Sequence, residues 1–100
     1  MAQAFETFMK EAPEVAKAYG GMVAALAQTS ALEHKTHQLA YLSVLVAQGM
    51  EGGLDFHVKA AKEAGATRDE VASATLVGLP LVGMRAVEAL APVLEAYDRV

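Results

Sequence analysis

The sequence predicts a single all-α domain. Alanine and leucine dominate the chain and β-branched runs are short. Apolar residues recur at helical spacing, and glycine, proline and capping residues divide the chain into segments of helix length. A chain of 100 residues is near the common size of one domain, which we expect to span residues 1–100. The positions of these glycines, prolines and capping residues predict about six helices.

The first two predicted helices lie on either side of a proline. A short amphipathic helix is expected over residues 3–11. Pro13 suits a helix N-terminus, because its missing N–H would be unpaired there in any case. The second helix is predicted over residues 14–28. Gly20 and Gly21 weaken that helix by about 1 kcal/mol each relative to alanine, and they predict a break or a close helix crossing.

The third predicted helix contains the most apolar stretch of the chain. Ser30 and Glu33 have capping-box spacing, which predicts that the helix begins there and runs to about Gln48. Residues 39–47 are apolar nearly all round the helix. A helix of this kind is typical of the centre of an assembly.

Glycines bound the fourth predicted helix. Gly49 is expected to end the helix before it. The fourth helix is predicted over residues 52–64, with Gly65 as the glycine that follows its C-terminus.

The last two predicted helices are separated by a Gly-x-Pro segment. Thr67 and Glu70 form a second capping box that starts the fifth helix. This helix is expected to end near residues 78–80, since the residue before a proline avoids helical angles. The sixth helix is predicted over residues 81–97, and Pro92 is expected to kink it.

The composition excludes several classes of function. There is no cysteine, so thiolate nucleophiles and cysteine-ligated zinc are excluded. The net charge is −4 with scattered basic residues, which argues against nucleic acid as a partner. The uncharged window of fifteen residues over 18–32 is too short for a membrane span. The N-terminus lacks a signal-peptide layout, so a cytoplasmic protein is expected. No phosphate-binding glycine loop is present, and no cofactor is expected.

His57 is the histidine whose position is most suggestive of a site. Gly53 precedes it by one helical turn and Met50 by two, so the three share one face if the helix begins early. Free N–H groups at that helix end favour a ligand carboxylate or oxyanion. The alternative is a partly buried histidine bonded to a carbonyl.

The other two histidines, His34 and His37, share one face of the third helix. Two ligands are too few for zinc. Solvent exposure at a polar helix start is therefore the favoured interpretation. A metal site formed with His57 is a weaker hypothesis.

Three segments together resemble a known family. They are "ALEHKTHQLAYLSVLVAQG", "MEGGLDFHVKAAKEAGATRDEV" and "VGLPLVGMRAVEAL". Their order is similar to the carboxymuconolactone decarboxylase-like and alkylhydroperoxidase D-like superfamily, over about residues 5–97. The family's run H-x-x-x-A-x-x-x-G-A-T-x-x-E-(V/I) is matched by His57, Ala61, Gly65, Ala66, Thr67, Glu70 and Val71. The resemblance implies an alkylhydroperoxidase D-like helical fold.

The departures from the family pattern concern its redox residues. The two family cysteines fall on Met50 and Gly53, and a glutamate that assists the thiol in peroxidase members falls on Gln38. Only the histidine, at His57, is kept. Peroxide reduction in this family needs a thiolate and a resolving thiol. Thiol peroxidase activity is therefore excluded.

The decarboxylase branch of the family does not depend on the cysteine pair. Its members act on small lactone acids, and the resemblance implicates a histidine at the His57 position. An arginine expected in the third helix falls on His37, and an acidic residue expected near position 53 is glycine. The anchor for a substrate carboxylate would then be His37, Arg85 or a neighbouring subunit. The resemblance also implies a homotrimer or homohexamer with sites near subunit contacts.

Two hypotheses about function follow. In the first, the protein is an enzyme for a small anionic molecule such as a carboxylated lactone. His57 acts as acid or base, Gln38 and His37 orient the substrate, and Met50, Gly53 and Arg85 line the site. In the second, the protein is a catalytically inactive oligomeric binding or structural homologue.

Overall fold

The computed structural model describes residues 2–49 and 52–100 and is all-α over both ranges. It contains no strand in these two ranges, which confirms the predicted fold class. No helix within them is long and apolar enough to cross a bilayer. The helical segments are α1 (Ala2–Glu11), α2 (Pro13–Thr29), α3 (His34–Ala47), α4 (Leu54–Glu63), α5 (Arg68–Leu76), α6 (Leu79–Val82), α7 (Met84–Glu88) and α8 (Leu90–Arg99).

The first five predicted helices correspond to α1–α5, whereas the sixth is divided into α6, α7 and α8. Gly83 separates α6 from α7 with a φ of 67°, a backbone conformation that glycine adopts readily. Ala89 separates α7 from α8. Pro92 follows that break by three residues, and its ring would clash with the carbonyl of Glu88 in a continuous helix. The predicted kink is therefore a break that lies one turn before the proline.

One of the two predicted capping boxes is present. The Thr67 hydroxyl accepts a hydrogen bond from the Glu70 N–H at 3.1 Å, and the Glu70 carboxylate accepts one from the Thr67 N–H at 2.8 Å. The box predicted at Ser30 is wrong. The Ser30 hydroxyl accepts from the Leu32 N–H instead, and α3 begins only at His34, because the chain turns between the two helices.

The glycine pair in α2 does not break that helix. The helix is continuous through Gly20 and Gly21, and a Cβ atom built on either residue would meet nothing within 4 Å. The predicted break is therefore wrong, and within one chain no close crossing occurs there. The two predicted C-terminal glycines are confirmed, since Gly49 and Gly65 both have positive φ values.

The core lies where α3, α4, α5, α7 and α8 meet. It contains Leu42, Val46, Val58, Ala61, Ala66, Val71, Ala86, Val93 and Ala96. The Ser43 hydroxyl donates to the Ala74 carbonyl at 2.8 Å and links α3 to α5. The Tyr97 hydroxyl donates to the Ala66 carbonyl at 2.9 Å and links α8 to the turn before α5. We call α3–α8 the body.

The first two helices form a hairpin that stands apart from this core. Within the described residues, α1 and α2 pack extensively against each other and against no other helix. Tyr19 of α2 makes edge-to-face contacts with Phe5 and Phe8 of α1, with ring centroids 6.5 and 5.9 Å apart. We call α1 and α2 the hairpin.

Candidate functional site

His57 lies on α4, directly before the core residue Val58, and is itself half-buried. Its neighbours Val58 and Ala61 are fully buried and fix the rotation of the helix. The Lys62 ammonium donates to the carbonyls of Tyr97 and Val100, both at 2.9 Å, and fastens α4 to the end of α8. The imidazole is therefore carried by a helix that is held on two sides.

Tyr41 joins two of the predicted site residues. Its ring centroid lies 4.4 Å from that of His37, one turn earlier on α3. It lies 5.7 Å from that of His57 on α4. Both contacts are edge-to-face, the arrangement that aromatic rings favour. We call His37, Tyr41 and His57 the imidazole cluster.

Each imidazole of the cluster has one buried nitrogen without a hydrogen-bond partner. These atoms are Nε2 of His37 and Nδ1 of His57, and no other buried side-chain nitrogen or oxygen in the described residues lacks a partner. An unsatisfied buried polar atom costs about 1–3 kcal/mol. Such atoms are rare in native proteins, and a bound molecule, water or a proton-transfer role accounts for many of them.

Burial lowers the pKa of His57 below its ordinary value, and desolvation is the cause of that shift. The surroundings are aromatic, with the Phe56 ring centroid 5.2 Å away in addition to Tyr41. A low-dielectric environment disfavours the charged imidazolium. His57 is therefore neutral at neutral pH, the form in which an imidazole can accept a proton.

Of the other predicted site residues, Gly53 directly precedes α4 and Gln38 lies on α3. The Gly53 carbonyl accepts the His57 backbone N–H at 3.0 Å, so this buried glycine forms the first turn of the site helix. Gln38 is half-buried on α3 and lies one turn before Tyr41. Met50 lies outside the described residues.

Arg85 belongs to a different surface. Its guanidinium lies against the backbone of Gly49, and it lines a depression of about 290 Å³ with Leu54, Glu88 and Pro92 among others. No histidine lines this depression. Within one chain, the structure therefore brings His37 and His57 together but does not place Arg85 with them.

Two further observations revise the candidate set. No group of three or more histidine, aspartate or glutamate residues in the described part of the chain is arranged to hold a metal ion. This leaves the metal hypothesis without support. Tyr41 was not among the predicted residues, although its position four residues after His37 places both on one helix face.

The fold is all-α, and the candidate site holds two histidines and no cysteine. The sequence profile of the carboxymuconolactone decarboxylase family matches residues 13–96, most of the chain, and the protein belongs to this family. The match begins at the first residue of α2, so α1 lies outside it. No curated protein and no solved structure matches the chain.

Proposed function

We propose that this member of the carboxymuconolactone decarboxylase family is an enzyme for a small anionic molecule, such as a carboxylated lactone. His57 is the acid/base residue. The observation that carries the proposal is the pair of partnerless buried nitrogens in the imidazole cluster. A substrate oxygen or a catalytic water that reaches these nitrogens would supply the missing hydrogen-bond partners.

The roles within the cluster follow from charge and position. The lowered pKa of His57 leaves a neutral base facing the aromatic ring of Tyr41. Positioned acid–base groups typically contribute about 10²–10⁴-fold to a rate. His37 would donate a ring N–H to the substrate carboxylate. Gln38, one turn from Tyr41, would orient the same molecule.

This chain cannot reduce a peroxide by the thiol mechanism of the family. The sequence has no cysteine, and reduction of a peroxide by the family's thiol route needs a thiolate that attacks and a second thiol that resolves. Acid–base chemistry at His57 needs neither group.

The experiment is a turnover assay on a panel of carboxylated lactones and keto acids, with products followed by NMR. His57→Gln is the test variant. The exposed His34, on the same helix as His37, provides the matched control His34→Gln. We expect His57→Gln to lower turnover at least 100-fold and His34→Gln to change it less than twofold. Equal activity of the two variants would remove His57 from the mechanism.

One observation favours a second function, that of an inactive binding or structural homologue. Neither depression described on the surface, the one beside Arg85 nor a trough between α3 and α5, is lined by His57 or His37. A cluster closed to ligands would be a packing feature. Absence of turnover, together with no ligand-induced change in the histidine NMR signals, would support this alternative.

A further inference from the structure

The depression beside Arg85 is lined by one cationic and one anionic side chain from the same helix. Arg85 and Glu88 are three residues apart on α7, and both line the depression. Side chains at this spacing lie on one face of a helix. The rest of the lining is apolar apart from the backbone of Gly49. The depression therefore combines a positive charge, a negative charge and an apolar wall.

Neither of these two charges has an ion-pair partner within the part of the chain that the structure describes. The other two arginines, Arg68 and Arg99, each pair with an aspartate, at 2.9 and 2.6 Å. No carboxylate of the described residues lies within 4.0 Å of the Arg85 guanidinium, and Glu88 has no cationic group within that distance. The donors of Arg85 and the acceptors of Glu88 are therefore available to a ligand.

The backbone of Gly49 holds the guanidinium at the edge of the depression. Gly49 has a φ of +68°, and the Arg85 guanidinium occupies the space that a Cβ atom would take there. A side chain that is already packed loses less conformational entropy when it binds a ligand. The planar guanidinium can donate to both oxygens of one carboxylate. Arg85 is therefore suited to bind the carboxylate of a small molecule.

Apolar residues from three helices and one helix junction form the wall of the depression. Val46 and Val93 belong to the core, and Leu54, Ala89 and Pro92 are half-buried. The volume of about 290 Å³ is at the lower limit for ligand clefts, which is about 300 Å³. The depression therefore has room for a small molecule with a short hydrocarbon chain, and contact with the wall would remove that chain from water.

We propose that the depression binds a small zwitterion, an α-amino acid with an apolar side chain. The Arg85 guanidinium donates to the α-carboxylate, the Glu88 carboxylate accepts from the α-ammonium group, and the wall contacts the side chain. A ligand with a carboxylate alone would place a second negative charge beside Glu88, and like charges repel. No histidine lines the depression, so this site is separate from the imidazole cluster and does not depend on the proposed catalysis.

The test is an NMR titration of the full-length protein with L-leucine and with two molecules that each lack one of its charges. 4-Methylpentanoate lacks the ammonium group and 3-methylbutylamine lacks the carboxylate, while both keep the branched hydrocarbon. We expect leucine to saturate the shifts of the α7 backbone signals below about 10 mM, and each analogue to bind at least tenfold more weakly. The histidine signals should not move. No saturation by leucine at about 10 mM, equal binding of either analogue, or movement of the histidine signals in place of those of α7 would overturn the proposal.

Two variants connect each ligand charge to one side chain. Arg85→Gln should remove the preference for leucine over 3-methylbutylamine, and Glu88→Gln should remove the preference for leucine over 4-methylpentanoate. Glu95→Gln, exposed on α8 and outside the lining, is the matched control and should change the dissociation constant for leucine less than twofold. Helical circular dichroism checks that the variants remain folded. If Arg85→Gln and Glu88→Gln weakened leucine and both analogues by the same factor, neither side chain would recognise a charge, and the proposal would be overturned.

Discussion

The body buries many of its large apolar side chains, whereas the hairpin leaves most of its own exposed. In the body, Leu42, Val58, Val71 and Val93 are fully buried at the meeting point of several helices. Among the side chains of the hairpin whose burial is described, Ala16 alone is buried, and large side chains such as Met22 remain about half exposed. Both regions are helical, so secondary structure alone does not account for the difference.

The comparison separates two sources of stability. The body closes its own core, and its stability is therefore a property of one chain. The hairpin makes aromatic contacts between its two helices but leaves side chains such as Met22 and Leu26 about half exposed. If these side chains contact another copy, the added stability depends on protein concentration. The imidazole cluster belongs to the body, on helices that the core already fixes.

The largest expected effect compares a leucine of the core with an exposed leucine of α2. Leu42→Ala should lower the free energy of unfolding by about 3 kcal/mol, because it opens a cavity among fully buried neighbours. Leu26→Ala, at a position that is 50% exposed, should cost about 1 kcal/mol in a separate chain. Urea denaturation measures both.

Concentration sharpens this comparison. If a second copy covers Leu26, the cost of Leu26→Ala should grow as protein concentration rises, whereas the cost of Leu42→Ala should stay constant. A concentration-independent loss of about 3 kcal/mol for both variants would show that the two regions do not differ in this way.

The second prediction compares two glycines. Gly49 has a φ of +68°, and the Arg85 guanidinium occupies the space that a Cβ atom would take. Gly49→Ala should therefore destabilise the protein by about 1–2 kcal/mol. Gly20 is in the interior of a helix with open space around it, so Gly20→Ala should stabilise a separate chain by about 0.5–1 kcal/mol.

The midpoint of thermal unfolding should fall in Gly49→Ala and rise in Gly20→Ala. A loss of stability in Gly20→Ala would mean that something outside the chain approaches α2 closely at this point. An unchanged midpoint in Gly49→Ala would show that the turn after α3 tolerates a side chain.

The third prediction compares Thr67 with Ser30, the two residues whose spacing to a glutamate predicts a capping box. Thr67→Ala removes a hydroxyl that accepts from the Glu70 N–H and should cost about 1 kcal/mol. Ser30→Ala removes only a turn contact to Leu32 and should cost less than half as much. Equal losses in chemical denaturation would contradict the assignment of a single capping box.

The helices were predictable because their boundaries are local. Thr67, Gly65 and Gly49 act on the turn that contains them, and their chemistry appears directly in the sequence. The incorrect boundary predictions also have local causes, because one local interaction replaces another. Ser30 had the right spacing for a cap, yet its hydroxyl bonds within a turn, and α3 begins three residues later than a cap at Ser30 requires. Pro92 indicated a distortion, but Gly83 supplied a second break.

The site was predictable only in part because it depends on contacts between helices. His57 and His37 were named from the sequence, and the structure brings them to one aromatic ring. That ring, Tyr41, went unnamed because an aromatic residue in an apolar run looks like core. Arg85 lines a depression that contains no histidine, and sequence spacing does not specify how α7 packs relative to α3 and α4.

The smallest expected effect is a pH dependence that arises from one imidazole. Because burial lowers the pKa of His57 in the folded protein, the unfolded chain takes up this proton more readily. Stability from His57 is therefore fully present above about pH 6.5, the ordinary value, and declines as the pH falls through the folded value. Comparing wild type with His57→Gln at pH 7.5 and 5.5 cancels the contribution of the carboxylates. We expect wild type to lose more stability on acidification than the variant, as measured by urea denaturation. An equal loss in both proteins would mean that the imidazole is solvated as fully in the folded state as in the unfolded state.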